Sequence, residues 1–276
     1  APMTDIAYPK VRLLIDGEAE TAAGKLKLPL QEYVFSVLHR PPDRMHGTLG
    51  AYLTLAPDPV SIMSRAGIRR TVTLSCGNSL LEEWRSIEPE PGKFVWWDEA
   101  IDLARRHGVH VVANIHTDFP AWALKSTGVE TLAGKRFKLP KEAWQQFIER
   151  TVAHYKSSIR DWLIIDEPYY CFTPEQYADL LKATYPAAKR GNPHCRILAH
   201  GGYYDTWLPA LVKAGAVDCF EGVSDYARNR PQGERLKKFR DEHRKFIISV
   251  EYGQHMSMYR TIEAPNNPRE RRTPVH

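Results

Sequence analysis

The chain has 276 residues, 43% hydrophobic and 26% charged, with a formal net charge of +5. That supplies a full core, excludes a disordered chain and suits one large domain. The mild positive excess gathers over residues 235–245 and 269–272, a solvated helix face and a loose end, so no nucleic-acid partner is expected. No apolar run reaches the roughly 20 residues of a membrane span.

Residues 1–46 carry two expected strands, 11–15 and 33–38, and read as a β-rich N-terminal segment or appendage. The opening ten residues lack the basic and apolar regions of a signal peptide. The chain starts at Ala1 rather than Met, so a secreted or periplasmic location after processing stays open.

From residue 47 to 276 the pattern changes to short β-rich runs alternating with helical stretches. Strands are expected at 50–55, 70–75, 109–115, 161–166, 196–199, 219–223 and 246–250. Helices are expected at 59–66, 97–107, 140–156, 174–190, 206–214 and 232–244. Gly67 and Gly108 read as helix C-caps, Pro140 as a first-turn proline and Thr173 as an N-cap. An open doubly wound sheet lacks support, because no glycine-rich phosphate fingerprint follows any strand. Polar residues at the C-terminal ends of many strands favour a (β/α)8 TIM barrel. No eighth strand is evident after Glu251, so either the chain is cut short or the barrel is closed by something not legible here.

The four cysteines, Cys76, Cys171, Cys195 and Cys219, lie far apart and read as free thiols, with neither a zinc motif nor a disulfide scaffold. His116, Asp118 and Glu167 lack metal-ligand spacing, so neither a metal nor a cofactor is expected.

Two segments carry chemistry. In Trp162-Leu163-Ile164-Ile165-Asp166-Glu167-Pro168 and in Phe246-Ile247-Ile248-Ser249-Val250-Glu251-Tyr252-Gly253, an apolar run of strand length stops on a glutamate beside a chain breaker. A buried strand ending on a carboxylate presents it at the rim of a sheet. Two such groups are the minimum for glycoside hydrolysis, one as proton donor and one as nucleophile or base.

Residues 49–253 resemble the glycoside hydrolases of clan A, closest to the family 39 group of β-xylosidases and α-iduronidases. Met63-Ser64-Arg65-Ala66-Gly67-Ile68-Arg69 is similar to that group's helix and Ala-Gly-Ile lead into strand two. Trp84-Arg85-Ser86-Ile87-Glu88-Pro89-Glu90-Pro91-Gly92-Lys93-Phe94 is similar to its W-x-x-I/V-E-P-x-x-G-x-F/Y loop. His116-Thr117-Asp118-Phe119-Pro120-Ala121-Trp122-Ala123 is similar to its T-P-x-W-A turn. The resemblance implies Glu167 as acid/base at the end of strand four and Glu251 as nucleophile at the end of strand seven. It also implies a retaining mechanism on a β-linked glycoside or oligosaccharide. Asp166 departs from the pattern, standing where the family has the Asn that binds a sugar hydroxyl.

Substrate-binding candidates are Asp166, His116, His200, Tyr226, Trp84 and Trp122. Tyr226 would donate its hydroxyl to Glu251, and the two tryptophans would offer flat apolar faces to a sugar ring. The histidines have a plainer reading as satisfied core residues and the tryptophans as indoles packed at the barrel rim, while Glu167 and Glu251 have one as structural carboxylates tied to an arginine. Asp118 and Asp225 also lie near strand ends, where a loop cap explains either one. The rival reading for the whole chain is a non-catalytic carbohydrate-binding or truncated barrel. A hydrolase of another bond has neither a GxSxG elbow nor a zinc motif behind it. Oligomeric state, sugar and linkage are not legible.

Overall fold

The structure, a computed structural model of the chain, describes residues 10–15, 18–21, 24–27, 31–36, 55, 57–65, 67–73, 83–116, 118–125, 127, 138–201, 206–226 and 230–251. Near the N-terminus, β1 (Lys10–Ile15) pairs antiparallel with β4 (Gln31–Ser36), and between them β2 (Glu18–Thr21) pairs antiparallel with β3 (Gly24–Lys27). The inner pair escapes sequence reading because its strands are four residues long and mostly polar.

A parallel sheet follows, made of β5 (Arg70–Val72), β6 (His110–Ile115), β7 (Asp161–Ile164), β8 (Arg196–His200), β9 (Gly222–Tyr226) and β10 (Phe246–Glu251). These six strands lie side by side in strict chain order. A doubly wound sheet reverses its order at a switch point, whereas a singly wound (β/α) barrel adds each strand beside the last. Strand order therefore decides for the barrel, of which strands two to seven are seen. The expected first strand at 50–55 lies outside the described residues apart from Leu55, as does everything after Glu251.

The helices are α1 (Pro57–Arg65), α2 (Trp84–Ile87), α3 (Asp98–Arg106), α4 (Ala121–Lys125), α5 (Lys141–His154), α6 (Pro174–Gly191), α7 (Trp207–Lys213) and α8 (Arg230–His243). The two expected glycine caps after α1 and α3 are met, with Gly67 at φ 77° and Gly108 at φ 66°. At the start of α6, Thr173 Oγ1 accepts from Gln176 N and Gln176 Oε1 accepts from Thr173 N, closing a capping box behind Pro174. Helices α5 and α6 pack tightly: Trp144 Nε1 donates to Thr184 Oγ1 at 2.8 Å, and a Cβ on Gly191 would meet Glu149 O at 2.5 Å.

Strand alternation separates two apolar layers. Val111, Ala113, Ile115, Trp162, Ile164, Ile197, Ala199 and Val223 belong to the large cluster shared with the helices. Val72, Val112, Leu163 and Leu198, with Phe246 and Ile248 against them, form a second, smaller cluster from the opposite phase, the barrel interior. At the N-terminal mouth of that interior, Arg196 grips Asp161 through two hydrogen bonds, Nε to Oδ1 at 2.5 Å and Nη2 to Oδ2 at 2.7 Å. The guanidinium lies 4.2 Å from the centre of the Phe246 ring.

One strand sits elsewhere than expected. The run at 219–223 opens with a 3-10 turn (Val217–Cys219), and β9 begins only at Gly222. Glu221 explains the shift: its Oε2 accepts from Ile197 N at 2.7 Å, and Oε1 takes Lys189 Nζ and the Tyr185 hydroxyl. It thus anchors the approach to β9 before pairing with Leu198 begins at Gly222.

Of the cysteines, Cys195 and Cys219 are free thiols. Cys76 lies outside the described residues. No helix among the described residues is long and apolar enough to cross a membrane.

Candidate active site

Because all six strands run the same way in one sheet, their C-terminal ends share one edge. His116 follows β6, Glu167 follows β7 within three residues, His200 ends β8, Tyr226 ends β9 and Glu251 ends β10. Five of the candidates thus come from five adjacent strands, the arrangement from which barrel enzymes build active faces.

The end of β7 is conformationally unusual. Strand pairing continues to Ile165, whose N–H donates to Ile115 O at 2.8 Å, yet Ile165 has φ 58° and Glu167 has φ 49°. A β-branched residue in the left-handed region is a true outlier, and strain of this kind collects at functional sites. The two left-handed residues bracket Asp166 and turn the chain sharply into the 3-10 segment Pro168–Tyr170.

Glu167 is half-buried, and its Oε1 accepts from the Tyr169 hydroxyl at 2.7 Å. Burial and the adjacent Glu167 carboxylate push the Tyr169 phenol well above its usual range, so it stays a donor. The Tyr169 ring packs near His200 and edge-on to Trp207. Asp166 lies below: its Oδ1 is 3.1 Å from His200 Nε2, and His200 has no exposed surface. The carboxylate standing where the resembling family has an amide is therefore faced by a buried imidazole.

Tyr177 on α6 ties these strand ends together. Its hydroxyl donates to Ile164 O and accepts from His200 N at 2.9 Å, bridging the tops of β7 and β8. Burial pushes its phenol well above the ordinary range. Inside the barrel the lining turns polar just above the apolar layer. Asn114, two residues beyond Val112, His200, two beyond Leu198, and Ser224, two beyond Gly222, are all fully buried.

Glu251 owes its register to an irregularity. Ser249 pairs with Asp225, but the register then shifts, and Glu251 pairs with Tyr226. Such bulges re-aim the residue that follows them. The backbones of Glu251 and Tyr226 are therefore directly adjacent, at the alternation phase of Gly222 and Ser224.

Trp84 requires a correction. It is 0% exposed, and its ring packs against Phe119, Trp122, Trp144 and Phe147, leaving no face for a sugar. Its Nε1 donates to Glu88 Oε2 at 2.8 Å, while Glu88 Oε1 accepts from Gly92 N at 2.7 Å. Trp122 Nε1 donates to Glu88 O at 3.2 Å and its ring stands edge-on to Trp84, which makes it a half-buried rim residue. The W-x-x-I-E-P-x-x-G loop is thus a self-tied packing device around a buried glutamate. His116 Nδ1 stands 3.6 Å from Asp118 Oδ2, and Asp118 is also 3.6 Å from the Arg85 guanidinium, a surface cluster beside the rim.

Sequence reading missed Tyr169 and Tyr177. Tyr169 is two residues from Glu167 and was open to inspection. Tyr177 carried no signal, since its partners come from two strands. No group of three or more His, Cys, Asp or Glu among the described residues is arranged to hold a metal ion.

No protein-family model and no curated protein matches the sequence. Solved structures do match. A family 39 glycoside hydrolase from the gut symbiont Bacteroides cellulosilyticus WH2 superposes with a TM-score of 0.58 at 19% identity, over 80% of this chain. A xylanase from Paenibacillus barcinonensis, solved with a conduramine derivative, gives 0.52 at 14% identity, with 73% of this chain and 67% of that one covered. A psychrophilic family 10 endo-β-1,4-xylanase gives 0.52 at 12% identity, covering 71% and 72%. The fold they share with this chain is the (β/α)8 TIM barrel, present here in part. This chain spans 46% of the length of the family 39 structure.

Proposed function

We propose that this chain is a retaining glycoside hydrolase acting on a β-linked glycoside or oligosaccharide. The observation that carries the reading is the shared C-terminal edge of a sequentially ordered parallel sheet, with Glu167 on a strained turn after β7 and Glu251 at the bulged end of β10. The two ends are three strand spacings of about 4.8 Å apart along the sheet, a path that barrel curvature shortens to a chord. Retention requires their carboxyl groups to stand roughly 5–5.5 Å apart.

In this mechanism Glu167 protonates the leaving oxygen while Glu251 attacks the anomeric carbon, forming a glycosyl-enzyme. Glu167, now ionised, then takes a proton from the water that releases the sugar. Tyr169 holds Oε1 of Glu167, which leaves Oε2 for proton transfer. Tyr226, beside Glu251 in the register, is the donor to the nucleophile. His116 and Asp166 remain the sugar contacts; His200, with no exposed surface, backs Asp166 from below and does not reach the sugar itself. Residues 1–46 are an appendage to a barrel of residues 47–276.

The test is turnover of aryl β-glycosides by the wild type, Glu167→Gln and Glu251→Ala. Loss of a general acid lowers rates about 10²–10⁴-fold, and loss of the nucleophile abolishes double displacement. A 2-deoxy-2-fluoro glycoside should leave a covalent adduct on Glu251 by peptide mass. Near-wild-type rates in either variant would reject the assignment. Sugar-dependent thermal stabilisation without product release would favour the rival, a carbohydrate-binding barrel in which Asp166 marks lost turnover.

A further inference from the structure

We infer that Tyr170 is a stacking platform for the leaving-group sugar, so that the site takes oligosaccharides and reads the ring beyond the scissile bond. The inference rests on the hydrolase reading and adds a subsite to it. Tyr170 is 75% exposed, more than the two other exposed large hydrophobic residues among those described, Ile62 in α1 at 57% and Val95 in the connection between β5 and α3 at 45%.

Its position gives the exposure meaning. The Tyr170 ring centre is 4.7 Å from that of Tyr169, whose hydroxyl holds Glu167 at 2.7 Å. An open aromatic face therefore lies one ring beyond the group that contacts the proton donor. Apolar C–H faces of a pyranose pack on such surfaces through dispersion and the aromatic quadrupole, while the sugar hydroxyls remain in water. The 3-10 segment that carries Tyr170 fixes its backbone, so little ordering is lost on binding.

The side of the bond follows from chain direction. The sugar that is attacked must lie between Glu167 and Glu251, over the strand ends. Tyr170 lies past Glu167 on the connection leading outward to α6, so the ring it can cover is on the far side of the glycosidic oxygen. That ring is the leaving group.

The experiment compares wild type, Tyr170→Ala and Tyr170→Phe on short xylo- and cello-oligosaccharides and on the matching β-glycosyl fluorides, whose leaving group has no ring. Thermal melts confirm folding, which an exposed side chain should barely affect. Tyr170→Ala should lower kcat/KM about tenfold on the oligosaccharides and leave the fluorides unchanged, with Tyr170→Phe like wild type on both. Undiminished oligosaccharide turnover in Tyr170→Ala, or an equal loss on both substrates, would overturn the platform. If wild type cleaves neither substrate class, the hydrolase reading falls, and calorimetric titration with the same oligosaccharides decides the platform separately. About tenfold weaker binding by Tyr170→Ala alone would sustain it; equal binding, or none by wild type, would overturn it.

Discussion

At the N-terminal mouth of the sheet, Asp161, Arg196 and Phe246 close the interior with a bidentate ion pair capped by a ring. At the C-terminal edge, Glu167 and Tyr169 stand half-buried over the buried pair Asp166 and His200, on a turn with two left-handed non-glycine residues. The same strands begin in a locked plug and end in strained, titratable groups. The difference teaches where stability is invested and where function is placed: the closed end holds the strands in register so that the other end can carry strain and charge.

The sharpest way to break the contrast is Asp161→Ala. It removes the bidentate partner of a part-buried guanidinium, 26% of whose side chain is exposed, and losing hydrogen bonds to a charged group of this kind costs about 2–3 kcal/mol. Urea denaturation should show that loss, while the folded fraction keeps its specific activity. A loss of activity with stability intact would invert the comparison.

Gly222→Ala probes the plug from the neighbouring strand. Its Cβ would fall 2.5 Å from the Phe246 ring, and overpacking of that kind costs about 2 kcal/mol. Trimming the ring with Phe246→Leu in the same chain should recover part of it, so a double-mutant cycle must show coupling. Additive losses would mean that Phe246 is not the obstacle.

At the other end, Tyr177→Phe removes the bridge between Ile164 O and His200 N. Two buried backbone groups lose their partner, at a cost of about 1–2 kcal/mol. Here kcat should fall as well, because the strand ends that carry Glu167 and His200 are no longer tied. Tyr169→Phe is expected to change stability least, by about 0.5–1 kcal/mol for one part-buried hydrogen bond, while shifting the pH profile of kcat through Glu167.

Tyrosine ionisation offers a milder probe. Burial pushes Tyr155 up to about 12 and raises Tyr169 and Tyr177 further. A folded-state pKa raised above its unfolded value near 10 gives stability that is full below that value and declines as pH rises towards the folded one. Unfolding free energy should therefore fall from about pH 10 to 12, with absorbance at 295 nm reporting the delayed ionisation.

Much of the scaffold was legible in single segments. Alternation and apolar runs placed β6, β7, β8 and β10 within a residue or two, Thr173 announced its capping box, and glycines marked the ends of α1 and α3. Glu167 and Glu251 stood out because a carboxylate ending a buried run is costly anywhere but at a rim. The WxxIEPxxG loop misled: its spacing was real, but an indole offered to sugar and one hydrogen-bonded to a buried glutamate look identical in one dimension. The start of β9 failed for a similar reason, since Glu221 takes its partners from β8 and α6.

The amino-acid order by itself determined which segments extend, which coil and which carboxylates terminate a strand, because those properties depend on neighbours within a few residues. Tertiary structure alone decided strand order, the register shift that sets Glu251 beside Tyr226, the clamp at Tyr177 and the burial of Trp84. Each of these is a choice of partner across the fold, and local periodicity records only that a residue is buried, never against what.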